Sequence, residues 1–138
     1  MAVTFWIDLA NVDGSPLEGA SADVAGTAVA LAGLAVGAAG VLAFRRAGTT
    51  VDPHHIENAS ALVTGGIYRL TRNPMYLGLV LISMGWGIRL GSAIGTIVGP
   101  ALIFAALTRF QIMPEERMMS ERFGDEYRAF QGRVRRWI

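Results

Sequence analysis

Two short polar clusters flank a long apolar stretch of this chain, TRNPMYLG at 71–78 and QIMPEE at 111–116. Together they offer a guanidinium at Arg72, amides at Asn73 and Gln111, a phenol at Tyr76 and carboxylates at Glu115 and Glu116. Each group also has a purely architectural reading. Asn73 is a good helix N-cap, Pro74 fits the first helical position, and Tyr76 suits the aromatic belt at a membrane interface. Glu115 and Glu116 follow Pro114 and suit a first helical turn, where the dipole favours negative charge. Residue types alone leave both readings open. Other chemistries are excluded more readily. The chain has no cysteine, which rules out disulfides, thiolate metal sites and cysteine nucleophiles. His54 and His55 are adjacent imidazoles with no cysteine beside them, so no metal site is expected. GWGIRLG, at 85–91, imitates a dinucleotide-binding glycine loop but sits in an apolar run without a preceding strand.

The elements that must position these clusters are apolar helices. At 52% hydrophobic residues the chain is unusually apolar for a soluble domain of 138 residues, and a membrane protein is the better reading. Residues 24–44 are uncharged and mostly apolar, close to the roughly 20 residues a helix needs to cross the hydrocarbon core. Gly26, Ala30, Gly33, Gly37 and Gly40 recur at spacings of three and four, which lines them up for close helix approach. Between Arg72 and Arg109 the only charge is Arg89, so two apolar arms, 74–88 and 91–109, are expected around a tight turn at 89–92. The first arm is short for a span and would lean on a snorkelling Arg89 and its polar flanks, or be partly covered by protein. Gly91, Gly95 and Gly99 make a second small-residue face, and Pro100 a kink. A tight turn forces the arms antiparallel, which brings 72–76 and 111–116 to the same end. After Pro114 an amphipathic helix is expected to residue 138, with Met119, Phe123, Tyr127, Phe130, Val134 and Trp137 as its apolar stripe and Gly124 as its weak point. The expected fold is an all-α membrane protein of about three transmembrane helices, including the tight hairpin, plus a C-terminal amphipathic cytoplasmic helix. One domain would comprise an interfacial segment at 1–23, a first span at 24–44, a cytoplasmic loop at 45–72, the hairpin at 73–110 and the helix at 114–138.

Charge gives the orientation. All 12 basic residues are arginine, none precedes Arg45, and seven fall between Arg109 and Arg136. The positive-inside rule therefore puts the 45–72 loop and the tail in the cytoplasm, with the acidic N-terminus and the hairpin turn outside. The first 23 residues carry Asp8, Asp13, Glu18 and Asp23 and no basic n-region, which argues against a cleavable signal peptide; FWIDL, at 5–9, would be an interfacial anchor. In the tail Glu115, Glu116, Glu121, Asp125 and Glu126 dilute the positive field, so no nucleic-acid partner is expected.

Three separated elements then occur in a recognisable order: GIYRLTRNPMYLG, with a glycine-tyrosine pair before arginine, asparagine, proline and tyrosine; the paired glutamate; and FG followed by tyrosine in RFGDEYRAF. Over residues 45–138 the chain resembles the isoprenylcysteine carboxyl methyltransferase and phospholipid methyltransferase family. The resemblance implies an integral membrane methyltransferase, in the bacterial cytoplasmic membrane, that moves a methyl group from S-adenosylmethionine to a lipophilic or lipid-borne acceptor. It implies a cofactor site of Ser60, Ala61, Leu62, Val63, Gly66, Tyr68, Arg72, Asn73, Pro74, Met75, Tyr76, Glu115 and Glu116, with Gly78 in the same motif.

The cofactor's chemistry accounts for these residue types. Tyr68 and Tyr76 could wall a sulfonium cation, Glu115 could accept hydrogen bonds from ribose or amino groups, and the helix start at Asn73 offers free N–H groups to a carboxylate. Two departures bear on the acceptor. Many members have histidine where this chain has Asn73, which cannot titrate and so cannot shuttle protons. Where isoprenylcysteine enzymes have an arginine facing the substrate, this chain has Gln111, with Arg109 close by; Gln111 and Arg109 are the candidate substrate residues. Acceptor readings within the family are a phospholipid amine and a prenyl-cysteine carboxylate. A reading of another class is a non-catalytic membrane scaffold, associating with membrane lipids and with a second copy through the glycine faces at 33/37 and 91/95/99.

Overall fold

The computed structural model describes residues 19–48 and 61–138, and every regular element among them is helical. Helix α1 is Ala20–Arg46, followed by a 3-10 turn at Gly66–Arg69, then α2 at Pro74–Arg89 and α3 at Ala93–Ala106. A π-helical segment, Leu107–Ile112, leads directly into α4 at Met113–Arg133. The all-α expectation holds. Two helical runs, Ala20–Arg46 and Ala93–Arg133, are long and apolar enough to cross a membrane. At 16 residues α2 is shorter than the roughly 20 a perpendicular span needs, so the described helices bear out two spans of the expected three. FWIDL, His54, His55 and Ser60 lie outside the described residues.

The chain divides into two compact units, Met1–Leu34 with Gly78–Ala105 and Ala35–Leu77 with Ala106–Ile138. In the first unit α1 meets α2 backbone to backbone. A Cβ built at Gly33 would stand 2.7 Å from the Gly78 carbonyl oxygen, and one at Gly85 would stand 2.5 Å from that of Gly26. Neither gap admits a side chain, which is why small residues recur here. The expected turn between the arms is present. Gly91 adopts φ +64°, a conformation glycine takes without steric cost, and its N–H donates to Ile88 O at 2.9 Å. Buried Ser92 then caps α3, its Oγ accepting from Gly95 N at 2.9 Å. Arg89 at the end of α2 reaches Asp23 on α1, 3.4 Å from Nε to Oδ1, a pairing the snorkelling expectation did not include. Trp86, Ile97 and Leu102 are more than 60% exposed, apolar area that a lipid environment covers.

In the second unit Gly40 packs against Pro74 and Met75, whose side-chain carbons would stand 3.0 Å from a Cβ placed on this glycine. The core here is Val63, Tyr68, Tyr127, Phe130 and Val134, with Phe44, Met119 and Phe123 against it. The apolar stripe on the tail thus packs against the segment that precedes the hairpin. Two features depart from a continuous helix to residue 138. Gly124 sits at φ 52°, ψ −121°, a break inside α4 where the weak point was expected. Helix α4 ends at Arg133, and Val134 is extended at φ −125°, ψ 128°. The reason is tertiary: the carbonyls of Arg135 and Arg136 accept hydrogen bonds from residues 71–73.

Candidate functional site

Glu115 gathers the first polar group in the second unit. It lies in the first turn of α4 behind Pro114, and the π-helical segment immediately before it carries Gln111. Gln111 Nε2 donates to Glu115 Oε1 at 2.6 Å, and the Tyr76 hydroxyl, from the first turn of α2, donates to the same oxygen. Insertions of π geometry recur at functional sites because they turn a side chain out of the regular helical register. Tyr68 completes the group from the 3-10 turn, buried and edge-on to Phe44 at a 5.5 Å centroid separation. Burial first, and then the Glu115 charge, push the Tyr68 phenol above its ordinary pKa, so it stays a neutral donor. The turn that delivers Tyr68 opens at Gly66, whose φ of +59° requires glycine.

A second polar group is centred on Glu116. Arg136 grips it with two prongs, Nε to Oε1 at 3.0 Å and Nη2 to Oε2 at 2.7 Å. Arg72 Nη1 lies 2.9 Å from Oε1 as an ion pair without hydrogen-bond alignment, and its side chain and that of Glu116 are only 10% and 12% exposed. The hydrogen bond from Arg136 raises that guanidinium's already high pKa. The backbone after α4 ties the same region together. Arg135 O accepts from Arg72 N at 3.1 Å, and Arg136 O accepts from Asn73 Nδ2 at 2.9 Å and Thr71 Oγ1 at 3.3 Å. Thr71 Oγ1 in turn accepts from Asn73 N at 3.1 Å, and Trp137 Nε1 donates to Thr108 Oγ1 at 3.3 Å.

The residues expected at the site thus fall into distinct places. Tyr68, Tyr76, Gln111 and Glu115 converge, while Arg72, Asn73 and Glu116 are joined through Arg136. Pro74 is buried, Met75 is half-buried against Gly40, Val63 belongs to the core with Leu62 packed against it, and Ala61 is half-buried. Gly66 acts through its backbone, and Gly78 belongs to the first unit against Gly33. Arg109 is exposed, its guanidinium 5.9 Å above the Phe110 ring. Sequence reasoning missed Thr71, Arg136 and Trp137. Thr71 adjoins the motif and could have been found there, but nothing distinguishes Arg136 from Arg133 and Arg135 in a run that reads as a solvated basic face. Among the described residues no group of histidine, aspartate and glutamate could hold a metal ion.

Comparison with known proteins bears on the family. A family model described as "Phospholipid methyltransferase" matches residues 22–126. An uncharacterized protein of Haemophilus influenzae is 39% identical over 64 residues, which is 46% of this chain and 100% of that one. A probable protein-S-isoprenylcysteine O-methyltransferase of rice is 29% identical over 89 residues, 64% of this chain and 46% of the relative. The protein-S-isoprenylcysteine O-methyltransferase of Schizosaccharomyces pombe is 30% identical over 73 residues, 53% of this chain and 30% of the relative. The chain thus spans less than half the length of these two eukaryotic relatives. No solved structure matches significantly.

Proposed function

The chain belongs to the phospholipid methyltransferase family, and from that premise we propose that it is a membrane enzyme moving a methyl group from S-adenosylmethionine to a lipophilic or lipid-borne acceptor. The observation that carries the reading is the meeting of Tyr76 and Gln111 on Glu115, with Tyr68 beside them. Two stretches far apart in sequence, 68–76 and 111–115, supply one carboxylate, two phenols and an amide.

The donor set fits the cofactor. S-adenosylmethionine supplies an electrophilic methyl on a sulfonium, next to ribose hydroxyls and an amino-acid head. A carboxylate is the acceptor that ribose hydroxyls and an ammonium group call for, and Glu115 supplies one, aimed by Tyr76 and Gln111. Tyr76 and Gln111 fix the direction of that carboxylate, and the faces of Tyr68 and Tyr76 suit a cation. The first-turn N–H groups of α2 favour a carboxylate. Ser60, Ala61, Leu62, Val63 and Met75 would complete the cofactor site, as the family resemblance implies.

Methyl transfer is an in-line displacement, so holding the acceptor against the methyl in a water-poor pocket supplies much of the rate. Asn73 does not titrate, and its side-chain amide is bonded to Arg136 O, so it moves no proton. Gln111 is neutral, which favours an acceptor that is not a carboxylate. A phospholipid amine therefore suits this site better than a prenyl-cysteine carboxylate, although the named rice and fission-yeast relatives point to the latter. The acceptor enters laterally from the lipid. By the positive-inside rule the site faces the cytoplasm and the N-terminus lies outside, in a bacterial cytoplasmic membrane; the Haemophilus relative supports that source.

Detergent-purified protein should bind S-adenosylmethionine, measured by calorimetry, with affinity falling at least tenfold in Glu115→Ala and in Tyr76→Ala, roughly 1.4 kcal/mol or more. Absence of binding by folded wild-type protein would favour a non-catalytic membrane scaffold. Once binding is established, membranes incubated with methyl-labelled cofactor identify the acceptor by the fraction that becomes labelled.

A further inference from the structure

Arg136 stands one step behind the Glu115 group, and its two ends hold the two helices that build that group. Its guanidinium takes both oxygens of Glu116, the residue next to Glu115. Its carbonyl takes Asn73 Nδ2 and Thr71 Oγ1, at the turn that starts α2 and delivers Tyr76. We propose that Arg136 is a positioning residue of the site, clasping the 71–73 turn to the first turn of α4 and so setting how Tyr76 meets Glu115. This rests on reading Tyr76, Gln111 and Glu115 as the functional group.

The geometry of a helix explains why a neighbour of Glu115 can aim it. Successive side chains leave a helix about 100° apart, so anchoring Glu116 fixes the roll of α4 and with it the direction of Glu115. Asn73 and Tyr76 are three residues apart, close to one turn, so anchoring Asn73 does the same for Tyr76. The grip is directional because a guanidinium fork matches a carboxylate edge, whereas an ammonium would supply only a point charge. Its acceptor is sheltered, Glu116 being 12% exposed, while Arg136 reaches it from a more open position at 37%.

The test uses the full chain in detergent with 3-fluorotyrosine incorporated, the Tyr76 resonance being assigned from Tyr76→Phe. Arg136→Gln should move the Tyr76 fluorine resonance and raise the dissociation constant for S-adenosylmethionine about tenfold, with the circular dichroism of the helices unchanged. Glu116→Gln, which also loses the Arg72 ion pair, should move the same resonance the same way, and the double variant no further than Glu116→Gln alone, because the Arg136 contact is already gone. Arg136→Lys keeps the charge without the fork and should fall between wild type and Arg136→Gln; it also serves if the glutamine variant does not fold. A folded Arg136→Gln or Arg136→Lys whose Tyr76 resonance coincides with that of wild type would overturn the proposal. Should wild-type protein bind no cofactor while the Arg136 variants still shift Tyr76, the clasp stands and the cofactor reading falls.

Discussion

Adjacent carboxylates in this protein are committed to different tasks. Glu115 is held by the neutral donors Tyr76 and Gln111, while Glu116 is held by the guanidinium groups of Arg72 and Arg136. The division follows from helical geometry, since neighbours in sequence face different sides of α4. Tyr68 shows the effect of the first group on a third residue. Its phenol pKa is raised by burial and by the Glu115 charge, so the folded state retains a proton that an unfolded chain gives up above about pH 10. A raised folded pKa means that the stabilising contribution is complete below the unfolded value and is lost as pH rises through the folded one. Thermal unfolding in detergent should therefore show stability falling above about pH 10, and Tyr68→Phe should flatten that fall. At this scale the sequence was informative about membership and silent about partners. TRNPMYLG and the paired glutamate were recognisable, but a sequence cannot show that Asn73 spends its amide on Arg136, because that contact joins residues 63 apart.

Helix α1 shows what periodicity can and cannot supply. The recurrence of small residues was plain, yet only contact with a partner sorts them. Gly26, Gly33 and Gly40, seven apart, return to nearly one face and each meets a neighbour, whereas nothing lies within 4 Å of a Cβ at Gly37. Gly33→Leu should consequently destabilise the protein by about 1–3 kcal/mol, through collision with the Gly78 carbonyl, while Gly37→Leu should leave the melting temperature nearly unchanged. Equal losses at both positions, measured by thermal unfolding in one detergent, would contradict this packing. The tail marks where periodicity overreached. Val134 and Trp137 continue the apolar spacing of α4, but a side-chain pattern does not reveal which partners the backbone takes, and here the 71–73 turn takes the carbonyls beyond Arg133.

For the molecule as a whole, the helical class and the hairpin followed from long apolar runs with few charges, while sidedness remains a matter of where the arginines lie. Because the chain has no cysteine, single substitutions report sidedness without background. Leu90→Cys, at the exposed hairpin turn, should react with an impermeant maleimide from outside intact cells, and Arg133→Cys only after the membrane is opened. The opposite pattern would invert the proposed topology. The clasp at Arg136 also bears on how the protein is made. Helical hydrogen bonds close over four residues, whereas Tyr76 meets Glu115 across 39 positions and Thr71 meets Arg136 across 65. Closing such loops costs chain entropy before any contact repays it. The helices need only near neighbours to form, so the Tyr76–Glu115 and Thr71–Arg136 contacts carry the larger closure cost and should form after them, an order that pulsed hydrogen exchange would read.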